Sequence, residues 1–108
     1  MIYELRVYDV APGRMGDLHK RFREHTLGLF KRHDITPVGF FTSEIGGATD
    51  QLTYILSFKD LGHRESAWEA FQRDPEWQSV KAASEEPGPL VMRIRNSILA
   101  PTDYSALA

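Results

Sequence analysis

What most constrains this chain is the order in which its hydrophobic period changes. Ile2 to Val10 alternates, with Tyr3, Leu5 and Val7 on one side of a strand and Glu4, Arg6 and Tyr8 on the other. A turn cluster, Ala11-Pro12-Gly13, follows, and the period becomes helical from about Arg14 to His33. Met15, Leu18, Phe22 and Leu29 form one stripe with Phe30 beside them, while Arg14, Asp17, Lys20, Arg21, Arg23, Glu24 and Lys31 mostly take the other arc. Asp34 and Pro37 close that helix.

Two more strands come next. Pro37 to Glu44 carries Phe40 and Phe41 on opposite faces, so both faces of the sheet want cover. The Ile45 to Asp50 connection reads as a hairpin, its Gly46-Gly47 pair a turn and not a phosphate cradle, because no helix start follows it. Gln51 to Phe58 returns with Leu52, Tyr54, Leu56 and Phe58 on one apolar face. Asp60 is placed to cap a second helix bearing Ala67, Trp68 and Phe71, and Asp74-Pro75 restarts it with Trp77 and Val80 inward. After the break Glu85-Glu86-Pro87-Gly88-Pro89, Leu90 to Leu99 is a last strand, with Met92, Ile94 and Ile98 on one face and Arg93, Arg95 and Ser97 on the other.

Strand, helix, strand, strand, helix, strand in 108 residues is the ferredoxin-like α+β plan in a single domain, 1–108. Right-handed crossovers put both helices on one face of a four-stranded antiparallel sheet, the first strand central between the third and fourth. Tyr3, Leu5 and Val7 are then expected under the helices. Glu4 and Arg6 are expected beside Arg93 and Arg95 on the open face.

Composition removes several classes of function. A formal charge of −2 lacks the basic footprint that a nucleic acid requires. There is no cysteine, hence no disulfide, thiolate nucleophile or cysteine-based metal site. No apolar run approaches the roughly 20 residues that span a bilayer, and the chain start lacks a secretory layout, so the expected setting is soluble and cytoplasmic.

Two constellations could carry chemistry. Glu4, Arg6, Tyr8, Arg93 and Arg95 offer a carboxylate, guanidinium groups and a phenol for an anionic or enolisable small molecule, with Arg as clamp and Tyr as acid or base. The plainer reading is that cross-strand ion pairs satisfy their own charges. Tyr54, Arg64, Trp68 and Trp77 could line a second pocket between helices and sheet, aromatics stacking a flat ligand and Arg64 meeting its acidic group. Against this stands their role as ordinary core. His19, His25 and His33 are spaced by six and eight along one helix, and eight residues of helix separate side chains by roughly 12 Å. They cannot share a metal ion, His63 reads as surface, and no metal or other cofactor is expected. No serine, histidine and acid spacing suggests a triad, Ser105 in the tail included.

Taken in order, Tyr3-Glu4-Leu5-Arg6-Val7-Tyr8 with Pro12-Gly13-Arg14, Lys31-Arg32-His33, Val38 to Thr42 with Ile45-Gly46, Leu52 to Phe58 with Asp60-Leu61 and Arg64, Trp77, and Asn96 to Leu99 with Pro101 to Ser105 resemble the NIPSNAP family over nearly the whole chain. Two departures are visible: Tyr54 stands where the family often has His, and the turn before that strand lacks a frequent Asn. The resemblance implies a homodimer in which two sheets pack open face to open face as a dimeric α/β barrel with helices outside. It implies no settled activity: members occur in bacteria and, with targeting segments, in mitochondria, where they are tied to quality control. The related barrel folds of antibiotic-biosynthesis monooxygenases and haem-degrading enzymes are fold analogy. The expected function is a small binding or interaction protein, tied by that kinship to stress or quality control, with a small-molecule ligand as its other partner. The alternatives are a cofactor-independent monooxygenase or lyase on a flat aromatic or enolisable substrate, and a haem or tetrapyrrole binder.

Overall fold

The computed structural model describes residues 1–108. Strand β1 (Ile2–Val10) leads into a helical stretch made of α1 (Met15–Arg21), a π-helical turn (Phe22–Thr26) and α2 (Leu27–Arg32). Strands β2 (Thr36–Thr42) and β3 (Gln51–Phe58), helices α3 (Leu61–Arg73) and α4 (Pro75–Ser84), and strand β4 (Val91–Leu99) complete the order. The sheet is antiparallel throughout, in the order β2-β3-β1-β4. β1 is therefore central, as the right-handed crossover rule requires. This is the ferredoxin-like fold.

Local chemistry sets the element ends. The Asp60 side chain accepts a hydrogen bond from the His63 backbone N–H at 2.8 Å and caps α3. Asp74 does the same for the Glu76 N–H, also at 2.8 Å, and Pro75 at the first helical position needs no donor. Asp34 adopts a left-handed φ of 62° after α2, a conformation that a short polar side chain tolerates, and it turns the chain into β2.

The long first helix is not uniform. Its π turn sets an extra residue into the helix, and the Thr26 hydroxyl donates to the Arg21 carbonyl five residues back, at 3.3 Å. Leu18, Phe22, Leu29 and Phe30 still reach the core, where they meet Leu52, Tyr54, Leu56 and Phe58 of β3 and Ala67 and Phe71 of α3. Aromatic rings dominate this layer: Phe40 stacks on Tyr54 with centroids 4.9 Å apart, and Phe22 meets Tyr54 edge-on at 5.6 Å.

Register overturns one expectation. Opposed residues of an antiparallel pair share a face, and β1 pairs Glu4 with Leu56, Arg6 with Tyr54 and Tyr8 with Leu52. The polar side of β1 thus lies under the helices, and Tyr3, Leu5 and Val7 lie on the helix-free face with Ile55 and Thr53. On the other flank Arg6 is opposite Asn96 and Tyr8 opposite Ile94, while Arg95 pairs with Val7 and Arg93 with Asp9. Arg93 and Arg95 are consequently on the face away from Glu4 and Arg6. Alternation within β1 identifies two faces but cannot phase them; its register against the apolar side of β3 does.

Phe40 and Phe41 do point to opposite faces: Phe40 packs on the core, and Phe41 is 56% exposed on the helix-free side. Part of that side is covered by the chain end, where the Tyr3 hydroxyl donates to the Leu107 carbonyl at 2.7 Å. No helix is long and apolar enough to cross a membrane.

Candidate functional site

A carboxylate with no solvent exposure must have its charge answered by neighbours. Glu4 is such a group, and five hydrogen bonds reach it. Arg64 donates Nε to Oε1 at 2.9 Å and Nη2 to Oε2 at 3.0 Å; Trp68 Nε1 donates to Oε1 and Asn96 Nδ2 to Oε2, both at 3.0 Å; Arg6 Nη1 donates to Oε2 at 2.9 Å. The Asp60 cap places α3 so that Arg64 and Trp68, four residues apart, descend side by side onto the strand. Burial by itself would push the Glu4 carboxyl up, but the bonds from Arg64, Asn96 and Trp68 and the charge of Arg6 outweigh it and hold the group at about 2.

Arg6 is the second member. Its guanidinium lies over the Trp68 ring, 4.6 Å from the centroid, and donates Nε to the Tyr54 hydroxyl at 2.8 Å and Nη2 to the Tyr8 hydroxyl at 3.3 Å. Burial opposes its charge, yet the neighbouring Tyr54, Tyr8 and Glu4 oxygens raise it above the ordinary arginine value. The two phenols are themselves 2.6 Å apart. Burial, with Tyr8 beside it, drives the Tyr54 hydroxyl well above the usual tyrosine range, so it stays protonated.

Beside this network is a cavity of about 390 Å³ between the sheet and the splayed helices. Arg6, Tyr8, Phe22, Trp68, Arg21 and Trp77 are among the residues that line it. Arg21 is only 7% exposed and lies 5.1 Å from the centre of the Trp77 ring. Its Nη1 donates to Ser84 Oγ at 3.1 Å and is 3.9 Å from Glu85, beyond hydrogen-bond distance, and its buried Nε has no partner at all. Burial lowers its pKa, Glu85 opposing, but a guanidinium remains charged at neutral pH. A desolvated cation with most of its donors idle, facing an aromatic cavity, is suited to the acidic group of a flat molecule.

Of the residues singled out in the sequence, Glu4, Arg6, Tyr8, Tyr54, Arg64 and Trp68 meet in one network. Arg93 does not join them, because it stands on the opposite face of the sheet. The two constellations merge: the polar side of β1 and the aromatic cleft are one place. Arg21 was missed. It counts as polar arc on an α-helical wheel, although its position three after Leu18 puts it at the edge of the stripe, and nothing in the sequence announces the π turn beside it.

The histidines lie elsewhere. His33 contacts Asp74 at 2.6 Å, which with Arg32 holds that carboxyl at about 2. His63 Nδ1 accepts from the Lys59 N–H at 3.0 Å while Nε2 reaches the Asp34 carbonyl at 3.0 Å, pinning the turn before β2 to the start of α3. No group of three or more His, Asp or Glu stands close enough to hold a metal ion.

Comparison with known proteins bears on this arrangement. The model of the family described as NIPSNAP matches residues 3–106. Protein NipSnap of Drosophila melanogaster is 31% identical over 104 residues, which cover 96% of this chain and 36% of that protein. Protein NipSnap homolog 3B of Mus musculus is 29% identical over 76 residues, 70% of this chain and 30% of its own. The chain thus spans about a third of the length of the curated relatives it matches. Among solved structures, a NIPSNAP family protein of Agrobacterium tumefaciens superposes with a TM-score of 0.88 at 26% identity, covering 99% of this chain and 98% of that one. An uncharacterized NIPSNAP-like domain protein of Burkholderia xenovorans gives 0.85 at 26%, over 96% and 87%. A putative antibiotic biosynthesis monooxygenase of Nitrosomonas europaea gives 0.62 at 8% identity over 94% and 98%, a likeness of fold alone.

Glu4 supplies a test of the network. Its folded pKa is depressed from 4.5 to about 2, so its contribution is fully present above about pH 4.5 and is lost as pH falls toward 2. The shift corresponds to about 3 kcal/mol. Glu4→Gln is expected to lower the unfolding free energy at pH 7 by about 3 kcal/mol or more, since Arg6 and Arg64 lose their counter-charge. It should also flatten the loss of stability between pH 4.5 and 2, checked by denaturant titrations across that range; parallel pH profiles would contradict the assignment.

Proposed function

Because this chain belongs to the NIPSNAP family, a kinship that fixes its fold and not a ligand, we propose from its own cleft that it is a binding protein for a small, flat organic acid. The observation that carries the reading is Arg21: a buried cation with an unpartnered Nε and no carboxylate within hydrogen-bond distance, on the wall of an aromatic cavity. Arg6 adds a second guanidinium to the same wall, though most of its charge is spent on Glu4. Counting Glu4 against Arg6 and Arg64 leaves one net positive charge beside the cavity, and on its wall Arg21 and Lys81 outweigh Glu85 by one more. The aromatic walls favour a planar body, and the volume suits a single-ring or fused-ring molecule.

Oxygenase or lyase chemistry on the same molecule is the second reading, favoured by the phenol pair at the cavity wall. A tetrapyrrole fits less well, since none of the four histidines is among the cavity's lining residues.

The protein is further proposed to act as a homodimer through its helix-free face. Leu5, Val7 and Ile55 are only partly covered there, and Phe41 and Leu99 are 56% and 43% exposed. A second copy packed on this apolar surface would close the barrel and answer the aromatic on each side of β2.

Two measurements test these readings. In isothermal titration calorimetry benzoate is expected to bind and benzylamine not to, and Arg21→Met should weaken benzoate by at least about tenfold. Equal binding of amine and acid, or an unchanged Arg21→Met variant, would overturn the acid-binding reading. In sedimentation equilibrium at micromolar concentration the protein should be a dimer and Ile55→Asp a folded monomer; a monomeric parent chain would sink the dimer.

A further inference from the structure

The phenol pair has a direction that follows from counting donors. Nitrogen of a guanidinium only donates, so the Tyr54 oxygen accepts from Arg6 Nε at 2.8 Å and the Tyr8 oxygen accepts from Arg6 Nη2 at 3.3 Å. One proton remains to be placed in the 2.6 Å contact between the hydroxyls. If Tyr8 donated, the Tyr54 oxygen would accept twice and its own proton would have no acceptor, in a residue with no solvent exposure. Leaving a buried donor unmade costs about 1–3 kcal/mol, enough to decide the matter. Tyr54 therefore donates to Tyr8.

Both lone pairs of the Tyr8 oxygen are then occupied, one by Tyr54 and one by Arg6. Its hydroxyl proton is what it has left, and no acceptor in the protein takes it. Tyr8, unlike Tyr54, lines the cavity. The chain from Arg6 and Tyr54 polarises that hydroxyl as a donor, since each bond it accepts strengthens the one it makes.

We propose that Tyr8 presents this cavity with a directed proton, so that the acid held there is an aromatic oxo acid: its carboxylate at Arg21 and a carbonyl oxygen at Tyr8. The inference rests on the acid-binding reading of the cleft and adds the second polar anchor. A site built around a donor rejects an analogue that cannot accept, because the donor is then left unpaired. Arg21 reads charge, Tyr8 reads an uncharged oxygen, and the aromatic rings of the wall read flatness.

The test uses two acids of equal charge and nearly equal shape, 4-acetylbenzoate and 4-isopropylbenzoate, with their 3-substituted isomers to allow for the span between the anchors. Calorimetry on the intact chain is expected to show the acetyl compound bound at least about tenfold more tightly than the isopropyl one in one of the two substitution patterns. In Tyr8→Phe the ratio should fall to about one while the isopropyl compound still binds. Equal binding of acetyl and isopropyl acids by the unaltered protein would overturn the Tyr8 assignment, whether or not the Phe variant folds, and leave acid binding standing. Retention of the preference in Tyr8→Phe would overturn it as well. Failure of every acid to bind would remove the underlying reading and this one with it.

Discussion

Everything in the cleft depends on one carboxylate that sees no water. Glu4 sits on the central strand and is gripped by α3 through Arg64 and Trp68, by β4 through Asn96, and by its own strand through Arg6. Without those five bonds, desolvation would neutralise or expel it, and the polar side of β1 could not face the helices. With them, three elements are tied at one point. Arg6 is held in place by the same contact, and through Arg6 the orientation of Tyr54 and Tyr8 is set. The donor count at Tyr8 is thus a distant consequence of satisfying Glu4.

The division of labour between the two sheet faces follows. The helix side keeps the charges and phenols, together with a space that the helices do not fill; the π turn, which begins at Phe22 directly after Arg21, belongs to the wall of that space. On the other side are aliphatic residues and Phe41, with Asp9 and Arg95 paired at 3.0 Å. The proposed ligand site and the proposed dimer face therefore would not compete for one surface. A ligand in the cleft and a second copy on the open face would be separated by the thickness of the sheet, with β1 common to both.

How much of this was legible in the sequence varies by the kind of information. The element order, the central place of β1 and the two-sided β2 were legible because alternation, helical spacing and caps at Asp60 and Asp74 are local signals. The facing of β1 was not. Tyr3, Leu5 and Val7 look like a core face, and only the cross-strand register, a property of two segments, reveals that they are opposite Ser57, Ile55 and Thr53 instead. Glu4, Arg6, Tyr8, Tyr54, Arg64 and Trp68 were each legible as chemistry-bearing residues, split between two imagined places that folding makes one. Arg21 was illegible for a different reason: its desolvation is produced by α4, whose Ser84 and Trp77 close over it from more than fifty residues away.

The central claim is that the anion site lies on the helix side of the sheet and that Arg21 is its cation. The direct measurement is the arginine side-chain Nε–H region of a proton–nitrogen correlation spectrum as benzoate is added. The account predicts that the Arg21 resonance moves with saturation while those of Arg93 and Arg95 stay fixed. Movement of Arg93 and Arg95 with Arg21 unmoved would place the anion on the opposite face and contradict it.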